Sequence, residues 1–354
     1  MRVVNALDRF QRRHRVIGFP IAVVYKYFDD QGPYLAAVIA YYGFIAIFPV
    51  LLISTSVLGF FLDGDPGLRD RLLDSALGQF PIVGDQLGRP EGLTGSTGAI
   101  IIGSIAALYG AMGLGQASQN AANIAWAVPR NSRANPFLMR LRSLLFLAIA
   151  GLGILVLAIA TSVLANIDVP GRFEAPLLQW GVRAVVFGLT VVIFVGLFRL
   201  VSAGRAGTRS VLPGAVVAAL GWQALQVGGS AYVTTIIGRA SQMNQTFALV
   251  LGLVAFLFLA ATMAVLSLEV NVVLRRRLYP RALLTPFTDS VELTRADVKA
   301  YTMYAKAQRH KGFQTISATF DAEWNTVEQP VVPGDGTVPA APSSTDRAAD
   351  RSSH

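Results

Sequence analysis

Few side chains in this sequence could do chemistry, and most of them sit inside long apolar runs. Gln116, Gln119, Asn120 and Asn123 recur at i, i+3, i+4 and i+7, a spacing that puts four amides on one helical face. Gln223, Gln226 and Ser230 share a face in a later run beside Trp222, and the last run ends with Glu269 and Asn271. Tyr41 and Tyr42 precede Pro49 by one to two turns, and Arg199 closes a fourth run. Hydrocarbon offers a polar group no partner, so such residues bond to one another, line a wet cavity or contact a polar substrate. The amides of Gln116, Asn120 and Asn123 could bond a head group, Glu269 could carry a proton or bind a cationic group, and Arg199 could meet a phosphate. The same amides could instead join helix to helix, at about 1 kcal/mol or less each. A Glu near a helix end could simply reach interfacial water. For Gln223 and Gln226 the two readings balance. The density of the Gln116–Asn123 stripe and the charge of Glu269 favour a cavity.

The elements that carry these residues are six apolar stretches, at about 33–62, 97–126, 141–165, 181–198, 211–237 and 246–274. Each meets or approaches the roughly 20 helical residues that a bilayer core requires. With 53% hydrophobic and 14% charged residues and a mean hydropathy of +0.51, the 354-residue chain does not have the balance of a soluble protein. The fold class predicted is therefore all-α, a polytopic membrane protein with six transmembrane helices.

Arginine sets the expected orientation, because retained loops carry the excess of Lys and Arg. The N-terminal arm holds Arg2, Arg9, Arg12, Arg13, Arg15 and Lys26. Arg130, Arg133, Arg140 and Arg142 fill the second gap, Arg199, Arg205 and Arg209 the fourth, and Arg275, Arg276, Arg277 and Arg281 follow the sixth run. The alternate gaps are poorer: Arg69, Arg71 and Arg89, then Arg172 and Arg183, then Arg239 alone. Both termini of this multi-pass protein are expected to be cytoplasmic. In that topology the amide stripe, the tyrosines and Glu269 converge on the inner half of the bundle, with Gln223 and Gln226 at the floor of a polar vestibule. The net charge of +9 then reads as orientation charge beside anionic head groups, and no nucleic-acid partner is expected.

Around the spans, residues 1–32 read as a basic cytoplasmic arm in which 16–25 form an interfacial amphipathic helix against the start of the first span. Residues 63–96 read as an amphipathic loop on the outer face, 278–328 as a partly helical cytoplasmic extension, and 329–354 as a disordered tail. Leu293, Val298, Tyr301 and Ala305 mark the helix in that extension. Pro49 removes a backbone hydrogen bond within the first span and is a candidate hinge. Cysteine is absent, and the three histidines, His14, His310 and His354, lie outside the spans. No thiolate or His-cluster metal site follows from such a set, and no Walker loop or Gly-x-Ser-x-Gly elbow is present. No cofactor, metal or catalytic residue is expected.

Three segments resemble one family. Gly32 to Pro49, with its small-residue opening, paired tyrosines and Phe48-Pro49, the Leu212-Pro213-Gly214-Ala215 entry to the fifth span, and Leu268-Glu269-Val270-Asn271 are together similar to the YihY and virulence factor BrkB family. Its members are also called YhjD-like inner membrane proteins, and some were formerly labelled ribonuclease BN. The resemblance covers about 31–277. Ser267 and Leu268 stand where the family usually has Gly and Ala before Glu-x-Asn, and the fourth span exits through Phe198 to Ser202 without the common Pro. The resemblance implies an envelope protein of the bacterial plasma (inner) membrane, and by analogy with the family's link to lipid-precursor export it implies a transporter or flippase of a lipid or other amphiphile. The competing expectation is a non-transporting envelope-assembly scaffold; ribonuclease activity is not expected. Membrane lipids are the expected partners, and the sequence leaves a homo-oligomer open.

Overall fold

A computed structural model of the chain describes residues 2–61, 97–165, 175–202, 206–237, 242–288 and 291–320, together with Arg239. The outer loop at 63–96 and the tail at 329–354 lie outside the described residues. Helix α1 spans Arg2–Arg13, α2 Arg15–Asp29, α3 Gly32–Phe61, α4 Thr97–Ala125 and α5 Pro136–Ala165. Helices α6 (Ala175–Val201), α7 (Thr208–Tyr232), α8 (Gln242–Arg276) and α9 (Arg295–Ala307) follow. A π-helical turn, Val233–Ile237, extends α7. No strand occurs among the described residues.

Local chemistry explains several boundaries. Pro136 occupies the first position of α5, where its missing N–H costs nothing, and the Asn135 side chain caps the turn by accepting from Leu138 N at 2.8 Å. Helix α9 begins with a reciprocal capping box between Thr294 and Asp297. Gln31 adopts φ 57°, a left-handed residue that turns the chain sharply from α2 into α3.

Helices α3 to α8 pack in chain order, each against the next, and α8 returns to α3. The result is a closed ring of six. Among the described residues four helical segments are long and apolar enough to cross a membrane: Pro136–Thr161, Trp180–Val201, Thr208–Ile236 and Phe247–Arg276. The apolar segment Gly32–Ile47 of α3 is shorter. Pro49 lies within α3.

Helices α7 and α8 approach closely at Gly214. The space that a side chain at Gly214 would fill is occupied by the Ser267 carbonyl oxygen and the Asn271 amide. Gly214 N also donates to Asn271 Oδ1 at 2.7 Å. A glycine here lets two backbones touch, the small-residue packing of membrane helices. Helix α2 lies across one end of the ring, chiefly against α8 and to a smaller extent against α3.

Candidate functional site

At that end of the ring a lysine is buried between two carboxylates. Lys26 on α2 has its side chain 1% exposed, with Nζ 2.5 Å from Asp30 Oδ2 and 3.1 Å from Glu269 Oε2. The Asp30 and Glu269 side chains are 3% and 0% exposed. Helix α2 holds Asp30 one turn beyond Lys26, with Asp30 N on the Lys26 carbonyl at 2.9 Å, and the left-handed Gln31 that follows turns the chain into α3 while α2 lies over α8. Glu269 Oε1 has no hydrogen-bond partner among the described residues. The Tyr304 ring of α9 lies 5.4 Å from Lys26 Nζ, within cation–π range, and its hydroxyl donates to Asp29 Oδ2 at 3.3 Å.

A second ion-pair set adjoins the first. Arg281 Nη1 is 2.5 Å from Asp29 Oδ2, and Arg281 Nε is 2.8 Å from Asp297 Oδ1. Asp297 Oδ2 accepts from Ala282 N, Thr294 N and Thr294 Oγ1. The guanidinium lies 5.4 Å from the Tyr301 ring. From the N-terminal side, Gln11 Nε2 donates to the Arg281 carbonyl, Asp8 Oδ1 accepts from Leu283 N, and the Tyr25 hydroxyl donates to the Leu283 carbonyl. Helices α1, α2 and α9 thus form a hydrogen-bonded collar on one end of the ring.

Two carboxylates share one ammonium at Lys26, and this decides how the groups titrate. Burial pushes the Asp30 carboxyl up, and the single Lys26 charge offsets only part of that. Burial works against the Lys26 ammonium, but Glu269 and Asp30 more than offset it and hold its pKa above the usual value. Burial likewise raises the Tyr304 hydroxyl, aided by Asp30 and Asp29. All three folded-state values lie above the unfolded ones, so the linked stability is whole below the unfolded values and is lost as pH rises through the raised ones. Asp30 acts first, above the ordinary carboxylate range of about 4; Lys26 and Tyr304 act in the alkaline range. The thermal midpoint of the detergent-solubilised protein is therefore expected to fall in two stages as pH is raised, first above about 4 through Asp30 and again above about 10 through Lys26 and Tyr304, and the Asp30→Asn variant to lose the first stage. A wild-type midpoint that climbs through either stage contradicts the assignment.

The residues singled out in the sequence go to several places. Glu269 joins Lys26 and Asp30. Asn271, two positions on and buried, points instead at α7, with Oδ1 on Gly214 N. Gln119 is 3% exposed, and its Nε2 contacts Gly115 O, Met139 O and Ser143 Oγ, tying α4 to α5. Asn120 is exposed and accepts from Arg133 Nη1 at 3.2 Å. Asn123 is buried and Gln116 half-buried. Tyr42 lies with its ring over Gly113 of α4, while Tyr41 is 62% exposed and meets Tyr42 edge-on at 5.1 Å. Gln223 is exposed, Gln226 half-buried, and both line a recess beside α6. Arg199 is exposed at the end of α6.

Inside the ring lies a cavity of about 240 Å³, walled by residues that include Ile39, Gly43, Leu114, Phe146, Trp222 and Leu257. Ser118 supplies a hydroxyl and Trp222 an indole; every other lining side chain is apolar. None of the ten candidate binding residues lines it. The walls follow from small and aliphatic residues on the inward faces of five helices, which leaves the amides to pair at helix contacts or face outward. Lys26, Asp29, Asp30, Arg281, Asp297 and Tyr304 were not singled out from the sequence as site residues. One signal was available: Lys26 is the first of four lysines, the other three lie at 299 or beyond, and an aspartate follows it four residues on.

The profile of the virulence factor BrkB family matches residues 23–289. The chain belongs to that family. The match takes in Lys26, Asp30, Glu269 and Arg281 and ends before Asp297 and Tyr304, so helix α9 of the collar lies outside the family's common region. A relative from Bacillus subtilis (strain 168), named as ribonuclease-like protein YfkH, is 24% identical over 269 residues, which cover 71% of this chain and 93% of that one. No solved structure matches. The family assignment agrees with the resemblance carried by Phe48-Pro49, Pro213-Gly214-Ala215 and Glu269-Val270-Asn271. Among the described residues there is no group of three or more His, Cys, Asp or Glu placed to hold a metal ion.

Proposed function

We propose that this BrkB family protein is a six-span protein of the bacterial plasma membrane, with both termini cytoplasmic, that moves a lipid or amphiphilic envelope precursor across the bilayer. The observation that carries this reading is the central cavity of about 240 Å³ with almost wholly apolar walls. An ion or a sugar would lose its hydration there with nothing in return; an acyl or isoprenoid chain gains by burial, at about 0.8 kcal/mol per CH₂. Helix α8 runs from that cavity to Glu269, and α3 runs back from it to Asp30, so a molecule with a tail in the cavity would have its polar end toward the buried Lys26 site. The alternation of arginine-rich and arginine-poor gaps supports the orientation. The ribonuclease label of the Bacillus relative is not carried over, because the three histidines of this sequence lie outside the six long helices.

The test is movement of a fluorescent phospholipid and of a labelled polyprenyl phosphate in proteoliposomes containing the full chain. Gly43 lines the cavity, and a Cβ added there meets only Leu257 Cδ2 at 3.8 Å and Leu114 Cδ1 at 4.0 Å. Gly43→Leu has room for its Cβ and directs added volume at the cavity wall, and it is expected to slow movement roughly tenfold, the equivalent of about 1.4 kcal/mol, with an unchanged thermal midpoint showing that the ring is kept. Failure of the wild-type protein to move either lipid in either direction would sink the transporter reading. The scaffold reading draws on the docked α9 helix. It predicts that Glu269→Gln and Asn120→Ala are tolerated while deletion of 290–314 is not.

A further inference from the structure

A second and larger recess, of about 850 Å³, lies beside α6 and α7 and shares no lining residue with the central cavity. Its two principal walls belong to the segments Trp180–Val201 and Thr208–Ile236, both long and apolar enough to cross a membrane. Val186, Phe187, Leu220 and Val227 make most of the surface apolar, and Arg183, Gln223, Gln226 and Thr161 interrupt it, Thr161 with its hydroxyl already donating to the Leu157 carbonyl. Arg183 is three residues inside its segment and stacks on Trp180, with the guanidinium carbon 5.3 Å from the ring centroid. Among the described residues no carboxylate pairs with Arg183, and Gln223 has no hydrogen-bond partner. Both side chains are exposed.

An exposed guanidinium and a primary amide on the wall of a membrane-crossing helix pair are costly unless something pairs with them. The Trp180 face supplies part of that pairing. The remainder must come from outside the described residues, and the recess specifies its chemistry. A guanidinium offers a forked set of donors that fits a phosphate. The amide of Gln223 can donate to an ester carbonyl or a glycerol hydroxyl. The aliphatic wall between them takes an acyl chain, and Trp180 is the residue type that sits at the head-group level. We infer that this recess binds an anionic glycerophospholipid of the surrounding bilayer, its phosphate on Arg183 and its glycerol region on Gln223. The assignment does not depend on transport, since a lipid held here could be structural.

The full-length protein, delipidated in mild detergent, is titrated with phosphatidylglycerol and with phosphatidylcholine of the same acyl chains, and bound lipid is counted by native mass spectrometry. One phosphatidylglycerol is expected to bind more tightly in the wild-type protein than in Arg183→Ala by about fivefold, the effect of one basic side chain near an anionic head group. Phosphatidylcholine, whose choline cation offsets the charge of its own phosphate, should weaken by less than phosphatidylglycerol does. Arg183→Lys should retain part of the preference and Gln223→Leu lose part of it. Glycerol phosphate without acyl chains should not compete at the same concentrations. Identical phosphatidylglycerol binding by wild type and Arg183→Ala overturns the assignment, and full competition by glycerol phosphate reassigns the recess to a soluble anion. A dimer in light scattering that Arg183→Ala dissociates would give the recess to a second copy of the chain and equally overturn it. Since both side chains are exposed, a thermal midpoint matching wild type shows that each variant folds.

Discussion

Lys26→Met is expected to lower the unfolding free energy by about 3–5 kcal/mol, the cost of leaving buried charge without its partner. Methionine fills much of the volume of the lysine stem, so packing against α8 is largely kept and the loss is electrostatic. It leaves Asp30 and Glu269, 3% and 0% exposed, with no cation between them. The variants can be ranked from the same geometry. Glu269→Gln removes one of two carboxylates and leaves a neutral Lys26–Asp30 pair at 2.5 Å, so it costs less than Lys26→Met. Replacing all three at once, Lys26→Met with Asp30→Asn and Glu269→Gln, removes every buried charge in the set and should recover most of the loss, because apolar or neutral replacements of a whole buried ion set are near neutral. The measurement is denaturation in detergent or bicelles, read from the tryptophan fluorescence. A Lys26→Met protein that unfolds with wild-type stability, or a triple variant no better than the single, would show that the charges do not act as a set.

That experiment turns on a residue whose role the sequence did not disclose. Lys26 reads as one more orientation charge in a basic arm, and only the packing of α2 over α8 sets it against a glutamate from the last long helix. Arg281 is similar: the last of a run of four basic residues that reads as interfacial is 1% exposed and holds two aspartates. A charge count cannot distinguish a solvated arginine from a buried one, because the difference lies in what a distant segment places opposite it. The long helices were legible for the converse reason. Their signal is local, about 20 or more apolar residues in succession, and α3 to α8 each overlap one of the six runs. Helix α9 was legible from the spacing of Val298, Tyr301 and Ala305, while Leu293, expected within it, precedes the start that the Thr294–Asp297 capping box fixes.

The amide stripe lies between these cases. Periodicity places Gln116, Gln119, Asn120 and Asn123 on one face of α4, which is sound geometry for any helix. It cannot say what faces them. Ser143 and Met139 of α5 take up Gln119, and Arg133 takes up Asn120. Tyr42 is held over Gly113 by the close packing of α3 on α4. The apolar central cavity was not legible either, because its walls are the same Ile, Leu, Ala and Phe that signal a span.

Arg281→Met is expected to cost about 3–5 kcal/mol as well, but with a local signature that Lys26→Met lacks. Arg281 bridges Asp29 at the end of α2 to Asp297 in the first turn of α9, at 2.5 Å and 2.8 Å. Without it Asp297, 0% exposed, keeps only its bonds from Ala282 N, Thr294 N and Thr294 Oγ1. The capping box survives, so α9 should remain helical while its contact with the ring weakens. Hydrogen exchange should then quicken over 291–307 well before it quickens in α7 or α8, and proteases should cut near Arg295. Arg281→Lys keeps a charge but cannot reach both carboxylates with a rigid fork, so its effect should be intermediate. Asp297→Asn removes the charge and keeps one acceptor oxygen for Ala282 N or Thr294, and it should be the mildest of the three. Release of α9 also exposes Tyr304, whose ring lies 5.4 Å from Lys26 Nζ, so Arg281→Met and Lys26→Met should be less than additive when combined. Strict additivity, or equal quickening of exchange through the whole chain, would mean that the two ion-pair sets are independent and that α9 is not a separable cap.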